Sequence, residues 1–366
     1  MIELAEIFRI HGPHYRAKFG DQMPRSHLQA MEAIEHCRTE ALGGQMYYCE
    51  HCHDYQYSYH SCKNRHCPKC QNGSAKAWLQ SQKDKLLPVP YFLVTFTWPD
   101  ALRDLARSHQ KLFYNILFRS SAQALQDLAR DPRFVGGTIG MVGVLHTWTR
   151  TLHDHPPVHS LVPAGGLAAD GRQWLPARDN FLVPVQALSI LLRAKVRDAL
   201  RKTPLFDLVP QELWEKDWVV HCEPVGRGSH ALRYLAPDIF RVALSNKRIL
   251  TLADGQVTFP YQDSQTGAIK VCTVTAEEFI RRFLQHVLPD HFVKVRYYGL
   301  FGPGNRNALH KARALLGVES SNSLPEGHAP DSTPNETAIR GPKCASVMQL
   351  IETLRPKTRF PRNRGP

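Results

Sequence analysis

Apolar residues recur at helical spacing over most of the first ninety residues of the chain. Residues 1–36 predict two helices, the first with its apolar face at positions such as Leu4 and Phe8. A basic amphipathic helix is predicted over 74–86. It ends at 88–90, where two prolines cannot continue a helix, and we place the first domain boundary there.

The rest of the chain, as far as residue 316, alternates runs of β-branched and aromatic residues with longer helical patterns. The predicted strands are 91–97, 140–148, 158–163, 218–222, 248–252, 256–261 and 292–298. The predicted helices are 99–130, 185–202, 229–240, 276–287 and 305–316. Turn residues at 153–157 and 253–255 predict two hairpins. We therefore predict an α+β fold, with a mixed, largely antiparallel sheet and helices on its faces.

The composition changes near the C-terminus. Residues 319–342 are rich in Ser, Pro, Asn, Glu and Gly, which is typical of a linker or a disordered segment. A short apolar patch at 347–354 and a basic end at 355–364 follow. The predicted organisation is an N-terminal domain over 1–88, a second domain over 89–318 and a flexible basic tail over 319–366.

The charge of the chain indicates a polyanionic partner. Its 46 Lys and Arg residues exceed its 33 Asp and Glu residues and give a net charge of +13. Such a surplus favours nucleic acid, because each neutralised phosphate releases counterions. The sequence contains neither a signal-peptide pattern nor an apolar run of membrane-spanning length, so we expect a soluble protein of the bacterial cytoplasm, associated with the nucleoid, and no membrane partner.

Six of the nine cysteines fall between residues 37 and 70, whereas Cys222, Cys272 and Cys344 stand alone. Two pairs have the spacing of zinc knuckles, and two such pairs can place four thiolates around one structural zinc ion. The simplest ligand set is Cys49, Cys52, Cys67 and Cys70. Cys37, Cys62 and His66 are left over, and either form a second site or include a buried thiol. A single zinc ion is the preferred prediction, and a zinc-ribbon-like domain is expected.

Several segments resemble one family when they are taken together. They are Cys37–Gly44, Ser61–Gln71, Val144–Trp148, His155–Leu167, Leu232–Leu235, Phe240–Arg248 and Phe279–Leu284. The chain resembles rolling-circle insertion-sequence transposases of the HUH class, which have an N-terminal zinc-binding domain. The resemblance covers nearly all of residues 1–316 in the expected order.

The resemblance implies a specific chemistry. In this family two histidines, separated by one hydrophobic residue, hold a divalent cation such as Mg²⁺ or Mn²⁺, and a tyrosine attacks a phosphodiester of single-stranded DNA. The enzyme becomes joined to the 5′ phosphate and a 3′ hydroxyl is released. Because the phosphotyrosine conserves the bond energy for strand joining to target DNA, no nucleotide cofactor is expected. The second domain is accordingly expected to be an HUH-type catalytic domain.

The sequence departs from the family pattern at two positions. Pro157 stands where the first metal histidine is expected, and Asp238 stands where two-tyrosine members have their second tyrosine. Tyr234 is therefore the predicted nucleophile. We hypothesise a metal site of His159, Asp238 and either His155 or His146.

Each candidate ligand has a physical argument. His155 shares the strand parity of His159, but four extended residues span about 13 Å. His146 is on the partner strand, where cross-strand Cβ atoms are about 5 Å apart. Asp238 would share a helix face with Tyr234, although the intervening Pro237 weakens that placement.

The function predicted from these residues is a metal-dependent DNA transposase. The alternatives are a non-catalytic DNA-binding relative that has lost cleavage, and a plasmid replication initiator or relaxase. The zinc-domain segments favour the transposase over the initiator. The basic residues predicted to contact DNA are Lys63, Arg65, Lys69, Arg241, Lys247 and Arg248.

Overall fold

The structure is a computed structural model, and it describes residues 2–70, 82, 86–146, 157–227, 230, 232, 244–263, 266–318 and 339–357. Its helices are α1 (Leu4–Phe19), α2 (Arg25–Glu35), α3 (Arg103–Ser108), α4 (Gln110–Arg130), α5 (Val185–Leu200), α6 (Ala276–Gln285) and α7 (Arg306–Leu315). The predicted helices at 74–86 and 229–240 fall almost wholly outside the described residues.

Within the described residues, the strands form four sheets. They are β1 (Gly44–Cys49), β2 (Asp54–Tyr59), β3 (Pro90–Phe96), β4 (Gly140–Leu145), β5 (Val158–Pro163), β6 (Gly165–Leu167), β7 (Trp174–Pro176), β8 (Val220–Arg227), β9 (Thr251–Ala253), β10 (Gln256–Gln262), β11 (Ile269–Thr275), β12 (Val295–Gly299) and β13 (Gln349–Leu354). The largest sheet has the order β12-β4-β5-β3-β8, and every neighbouring pair in it is antiparallel. The predicted α+β class is confirmed.

One face of the five-stranded sheet packs on α4 and α5. Phe92, Val94, Met141 and Val162 point to this face because side chains alternate along a strand. They form one buried cluster with Phe118 of α4 and with apolar residues of α5. Burial of this apolar surface is the main stabilising term for the domain.

The opposite face of the same sheet has a smaller apolar cluster. Val142 and Val144 of β4 and Leu161 of β5 are buried there, one residue out of phase with the first face. Leu232 is buried in the same cluster. Different residues therefore pack on the two faces. Leu232, which follows β8 in the chain, lies on the second face.

The N-terminal helices share a core with residues from much later in the chain. Phe8 of α1 and Phe283 of α6 are both buried, with their ring centroids 5.4 Å apart in an edge-to-face contact. Phe259 of β10 and Met31 of α2 belong to the same cluster. The helices α1 and α2 therefore bury their apolar faces against residues of 244–287 as well as against each other, and the predicted domain over 1–88 shares this core.

The predicted flexible tail also requires correction. Residues 349–354 form β13, which pairs antiparallel with β1 and gives a sheet of order β13-β1-β2. The hydrogen bonds of β1 hold this strand although most of its side chains are exposed. Because β13 is an exposed edge strand, its residues show little alternation of apolar and polar side chains. The sequence of this segment was therefore interpreted as part of a tail.

The hairpins predicted at 140–163 and 248–261 are confirmed as β4–β5 and β9–β10. The sequence did not predict β1 and β2, the small β6–β7 pair, or β11 beside β10. Among the described helices, none combines the length and apolar character needed to cross a bilayer.

Candidate metal centres and histidine pair

Four thiols converge beside the N-terminal helices, and we call them the first cysteine cluster: Cys37, Cys62, Cys67 and Cys70. All four Sγ atoms lie within 4.8 Å of one another. The Sγ atom of Cys70 is 3.5 Å from that of Cys37 and 3.6 Å from that of Cys62. Tetrahedral zinc with bonds of about 2.3 Å needs sulfur atoms about 3.8 Å apart, so the donor set and its spacing fit a zinc ion.

Local backbone structure positions these thiols. Cys37 follows the C-terminal end of α2, whereas the other three are on the loop after β2. Lys63 has φ +53°, and the N–H of Asn64 donates to Sγ of Cys62 at 3.5 Å. The N–H of Cys70 donates to the carbonyl of Cys67 at 3.1 Å. A tight turn of this kind brings both sulfurs of a knuckle to one side.

Three further thiols form the second cysteine cluster: Cys49, Cys52 and Cys344. The Sγ atom of Cys344 is 3.4 Å from that of Cys49 and 3.5 Å from that of Cys52. These distances are also those of thiols able to share a metal ion.

The two clusters change the ligand assignment made from spacing. The hypothesis of one ion bound by Cys49, Cys52, Cys67 and Cys70 does not match the geometry, because the structure places the two pairs in different clusters. Each pair is one knuckle, but spacing does not reveal which other cysteines it meets. The expectation that Cys344 stands alone is wrong for the same reason.

His66 is near the first cluster but does not join it. Its Nε2 accepts a hydrogen bond from the N–H of Leu288 at 3.4 Å. Burial, followed by the neighbouring Arg65 charge, lowers the pKa of His66 well below its ordinary value. A neutral imidazole is the form that can accept this bond, so His66 links the cysteine region to the segment after α6.

The basic residues near the first cluster have different surroundings. Arg65 donates to the carbonyls of Phe292 and Pro289 at 2.6 and 3.0 Å. Its guanidinium is therefore engaged in hydrogen bonds within the protein. Lys69 forms a 2.6 Å ion pair with Glu3. Lys63 is exposed.

The residues near β9 also differ from one another. Lys247 is exposed, whereas Arg248 donates to the carbonyl of Pro260 at 2.8 Å. Arg241 lies outside the described residues. Among the predicted DNA contacts that the structure describes, Lys63 and Lys247 are the ones with exposed side chains.

A pair of histidines lies at one end of the β4–β5 pair. His159 is opposite Val144 in the register, and His146 follows β4 with its N–H donating to the carbonyl of Pro157 at 3.0 Å. Because His146 is two residues after Val144, both imidazoles are on the same face of the sheet. Their ring centroids are 5.6 Å apart. The predicted cross-strand approach of His146 to His159 is therefore present.

This is the second face of the five-stranded sheet, the face of the smaller apolar cluster. Leu232 is buried on it together with Val144 and Leu161. Tyr234, Asp238 and His155 lie outside the described residues. Leu232 is only two residues before Tyr234.

The sequence did not identify His221 as a histidine of this face. His221 of β8 is opposite Thr95 of β3, which is itself opposite His159. The three side chains therefore share a face, with His221 about 10 Å from His159 at the backbone because two strand spacings separate them. The strand predicted at 218–222 contains His221. The sequence alone did not reveal that this strand lies next to β3, so its histidine could not be placed near His159.

Two adjacent tyrosines of β12 point to opposite faces. Tyr297 lies on the face of His159, and its hydroxyl donates to Gln82 Oε1 at 3.0 Å. Tyr298 packs against the cluster on the other face. Burial raises the pKa of Tyr298, which disfavours the phenolate needed for attack.

Comparison with family models defines the class of protein. A model described as "Transposase zinc-binding domain" matches residues 7–98, and one described as "Putative transposase" matches residues 140–308. The chain is therefore a transposase with an N-terminal zinc-binding domain, and the cysteine clusters support structural zinc.

Similar proteins identify the family. The chain is 39% identical over 337 residues to "Putative transposase y4qJ" of Sinorhizobium fredii, with 86% of this chain and 84% of that protein covered. It is 30% identical over 289 residues to the "Transposase for insertion sequence element IS801" of Pseudomonas savastanoi pv. phaseolicola, with 72% and 67% covered. The chain belongs to the family of rolling-circle insertion-sequence transposases, as its motifs predicted. No solved structure matches it.

Proposed function

We propose that this transposase cleaves single-stranded DNA at the ends of its element through a phosphotyrosine at Tyr234, and that His159 and His146 hold the catalytic cation. The observation that supports this most strongly is the shared sheet face. His146 and His159 lie 5.6 Å apart at their ring centroids, and Leu232, two residues before Tyr234, is buried on the same face.

The covalent step exchanges one phosphoester bond for another, so it needs no energy-supplying cofactor. The phenolic oxygen of Tyr234 attacks the phosphorus and forms a new O–P bond, while the bond from phosphorus to the 3′ oxygen breaks. The electron pair of that bond stays on the 3′ oxygen, which takes up a proton from solvent and ends as a hydroxyl, while the phenolic proton passes to solvent. A 3′ hydroxyl can later reverse the step and release the tyrosine, so strands are joined without ATP.

The two imidazoles fit a divalent cation. Imidazole is a common ligand of first-row metals, and this ring separation allows two ring nitrogens to approach within the roughly 4 Å that a shared ion requires. Mg²⁺ or Mn²⁺ bound there would supply charge neutralisation at the phosphoryl oxygens. A carboxylate donor such as Asp238 would complete the set, because these cations prefer oxygen ligands.

In this proposal His146 replaces the histidine that Pro157 has displaced. The carbonyl of Pro157 accepts a hydrogen bond from the N–H of His146. Residue 157 therefore helps to keep the imidazole of His146 beside His159. A ligand from the neighbouring strand thus takes the place of one from the same strand.

The test is an adduct assay with labelled single-stranded DNA from the ends of the element and with Mg²⁺ or Mn²⁺. The wild-type protein is expected to form a covalent product that survives denaturation, and Tyr234→Phe is expected to form none. Tyr297→Phe is the matched control, because this tyrosine is on the same face and its hydroxyl donates to Gln82.

Two outcomes would overturn the proposal. An adduct that persists in Tyr234→Phe would assign the nucleophile elsewhere. DNA binding with no adduct under either cation would favour the non-catalytic relative, which the departures at Pro157 and Asp238 otherwise make the second candidate.

A further inference from the structure

We propose that Cys49, Cys52 and Cys344 form a second zinc site with three protein thiolates and an exchangeable fourth position beside Gly341, and that this site holds the C-terminal segment on the zinc-binding domain. Neither matched family model reaches Cys344, since the matches cover 7–98 and 140–308. This inference is independent of the proposed cleavage chemistry.

The three sulfurs already have the spacing of metal ligands. Cys344 is 3.4 Å from Cys49 and 3.5 Å from Cys52 between Sγ atoms. Within the part of the chain that the structure describes, no histidine, fourth cysteine or carboxylate joins the group. Three soft thiolates are a donor set that selects zinc over the harder cations.

A tight turn presents Cys344 to the other two thiols. The N–H of Gly341 donates to the carbonyl of Ser346 at 2.9 Å, and the N–H of Ala345 donates back to the carbonyl of Gly341 at 2.8 Å. Ala345 takes φ +56°, and residues 340 and 347 form a bridge that closes the turn. This is the same kind of backbone device that positions a knuckle in the first cluster.

Gly341 is located where a fourth ligand would be expected. It precedes Cys344 by three residues, which is the spacing within each of the two cysteine pairs. A Cβ atom built on Gly341 would be 3.2 Å from Sγ of Cys344 and 3.5 Å from Sγ of Cys49. A side chain at 341 would therefore point at the sulfurs, and glycine leaves that side of the group without a protein donor.

A zinc ion at this position would bind parts of the chain that are far apart in sequence. Cys344 is separated from Cys52 by 292 residues. The same segment continues into β13, which pairs with β1, and the exposed Lys343 forms a 3.0 Å ion pair with the half-buried Asp54. Strand pairing alone leaves β13 at a sheet edge with exposed side chains, so the metal would add the crosslink that fixes it.

The first test counts zinc in the full-length protein. Wild type is expected to contain two zinc ions per chain, and Cys344→Ser is expected to contain one. Cys272→Ser is the control, because Cys272 belongs to neither cluster, and it should retain two. One ion in wild type, or two in Cys344→Ser, would overturn the proposed site.

The second test examines the open position. Gly341→Cys is expected to slow release of the second zinc to a chromogenic chelator at least tenfold, because a fourth thiolate closes the site. Gln349→Cys adds a thiol at an exposed position of β13 and should leave the release rate unchanged. With Co²⁺ in the sites, added imidazole should shift the visible spectrum of wild type but not of Gly341→Cys. Equal release rates, together with equal spectra, would overturn the exchangeable position.

The third test follows the C-terminal segment directly. Trypsin cleavage after Arg340 and Lys343 is expected to be about tenfold faster in Cys344→Ser than in wild type, at unchanged cleavage elsewhere. Equal rates would show that strand pairing holds the segment without the metal.

Discussion

The cysteine region and the histidine-bearing sheet face are both candidate metal centres, but they are assembled in different ways. The sheet face depends on strand register: His146 and His159 come from β4 and β5, which are adjacent in the sheet and consecutive in the chain. The cysteine region depends on contacts between distant parts of the chain, since Cys344 meets Cys49 across 295 residues. Strand alternation predicts the first arrangement from sequence, whereas no local pattern predicts the second.

The two regions also differ in what a metal would do. The first cysteine cluster is packed into the core of α1, α2 and α6, where four thiols leave no open position. The histidines lie on the face that carries the smaller apolar cluster of the described residues, and we propose that an ion there meets a phosphate. We infer that the cysteines stabilise the fold and that the histidines serve the reaction.

The largest expected effect comes from breaking the first cysteine cluster. Cys70→Ser should lose the zinc ion of this cluster and unfold the region of α1, α2 and α6 at physiological temperature, because structural zinc supplies several kcal/mol of folding free energy, on the order of 10 in isolated domains. Zinc content and thermal unfolding measure this. Cys272→Ser should unfold close to wild type, and a Cys70→Ser protein that melts normally would contradict a structural role.

A smaller effect tests the core that the N-terminal helices share with α6. Phe283→Ala should lower the free energy of unfolding by about 3–5 kcal/mol, because a buried aromatic ring is removed. Since Phe283 contacts Phe8, hydrogen exchange should increase in α1 as well as in α6. Protection of α1 that stays at the wild-type level would show that residues 1–88 are a separate unit after all.

The smallest effect separates DNA contacts from structural cations. Lys63→Ala should weaken binding to single-stranded DNA a few-fold and lower the slope of log affinity against log salt by about 1, since one phosphate contact is lost. Arg65→Ala should instead destabilise the fold, because two carbonyls lose their donor. A lower salt slope for Arg65→Ala at normal stability would reverse these assignments.

Much of the sheet and part of the site could be predicted from sequence. The strands at 91–97 and 158–163 are β-branched and aromatic runs of the length that a buried strand needs, and they were found within one residue of β3 and β5. The approach of His146 to His159 followed from a hairpin between predicted strands. Short-range alternation was sufficient for both.

The remainder depended on long-range packing. β13 has five exposed residues among its six, so nothing in its pattern distinguishes it from a tail. The partners of each cysteine pair were ambiguous because Cys49 and Cys67 lie on either side of β2 and go to different clusters. The position of His221 on the face of His146 and His159 could be recognised only from the strand order, which places β8 next to β3.

The central claim is that His146 supplies the metal ligand that Pro157 cannot, and a rescue experiment tests it most directly. The rate of adduct formation would be measured in wild type, His146→Ala, His159→Ala and the double variant His146→Ala with Pro157→His. A histidine at 157 would share the strand face of His159 with one residue between them.

We expect each single histidine variant to lose at least a hundredfold in rate and the double variant to regain at least tenfold with Mn²⁺. His221→Ala, about 10 Å away across the sheet, should retain the wild-type rate. Wild-type rates in His146→Ala would contradict the account, because the cation would then be held without the histidine of β4.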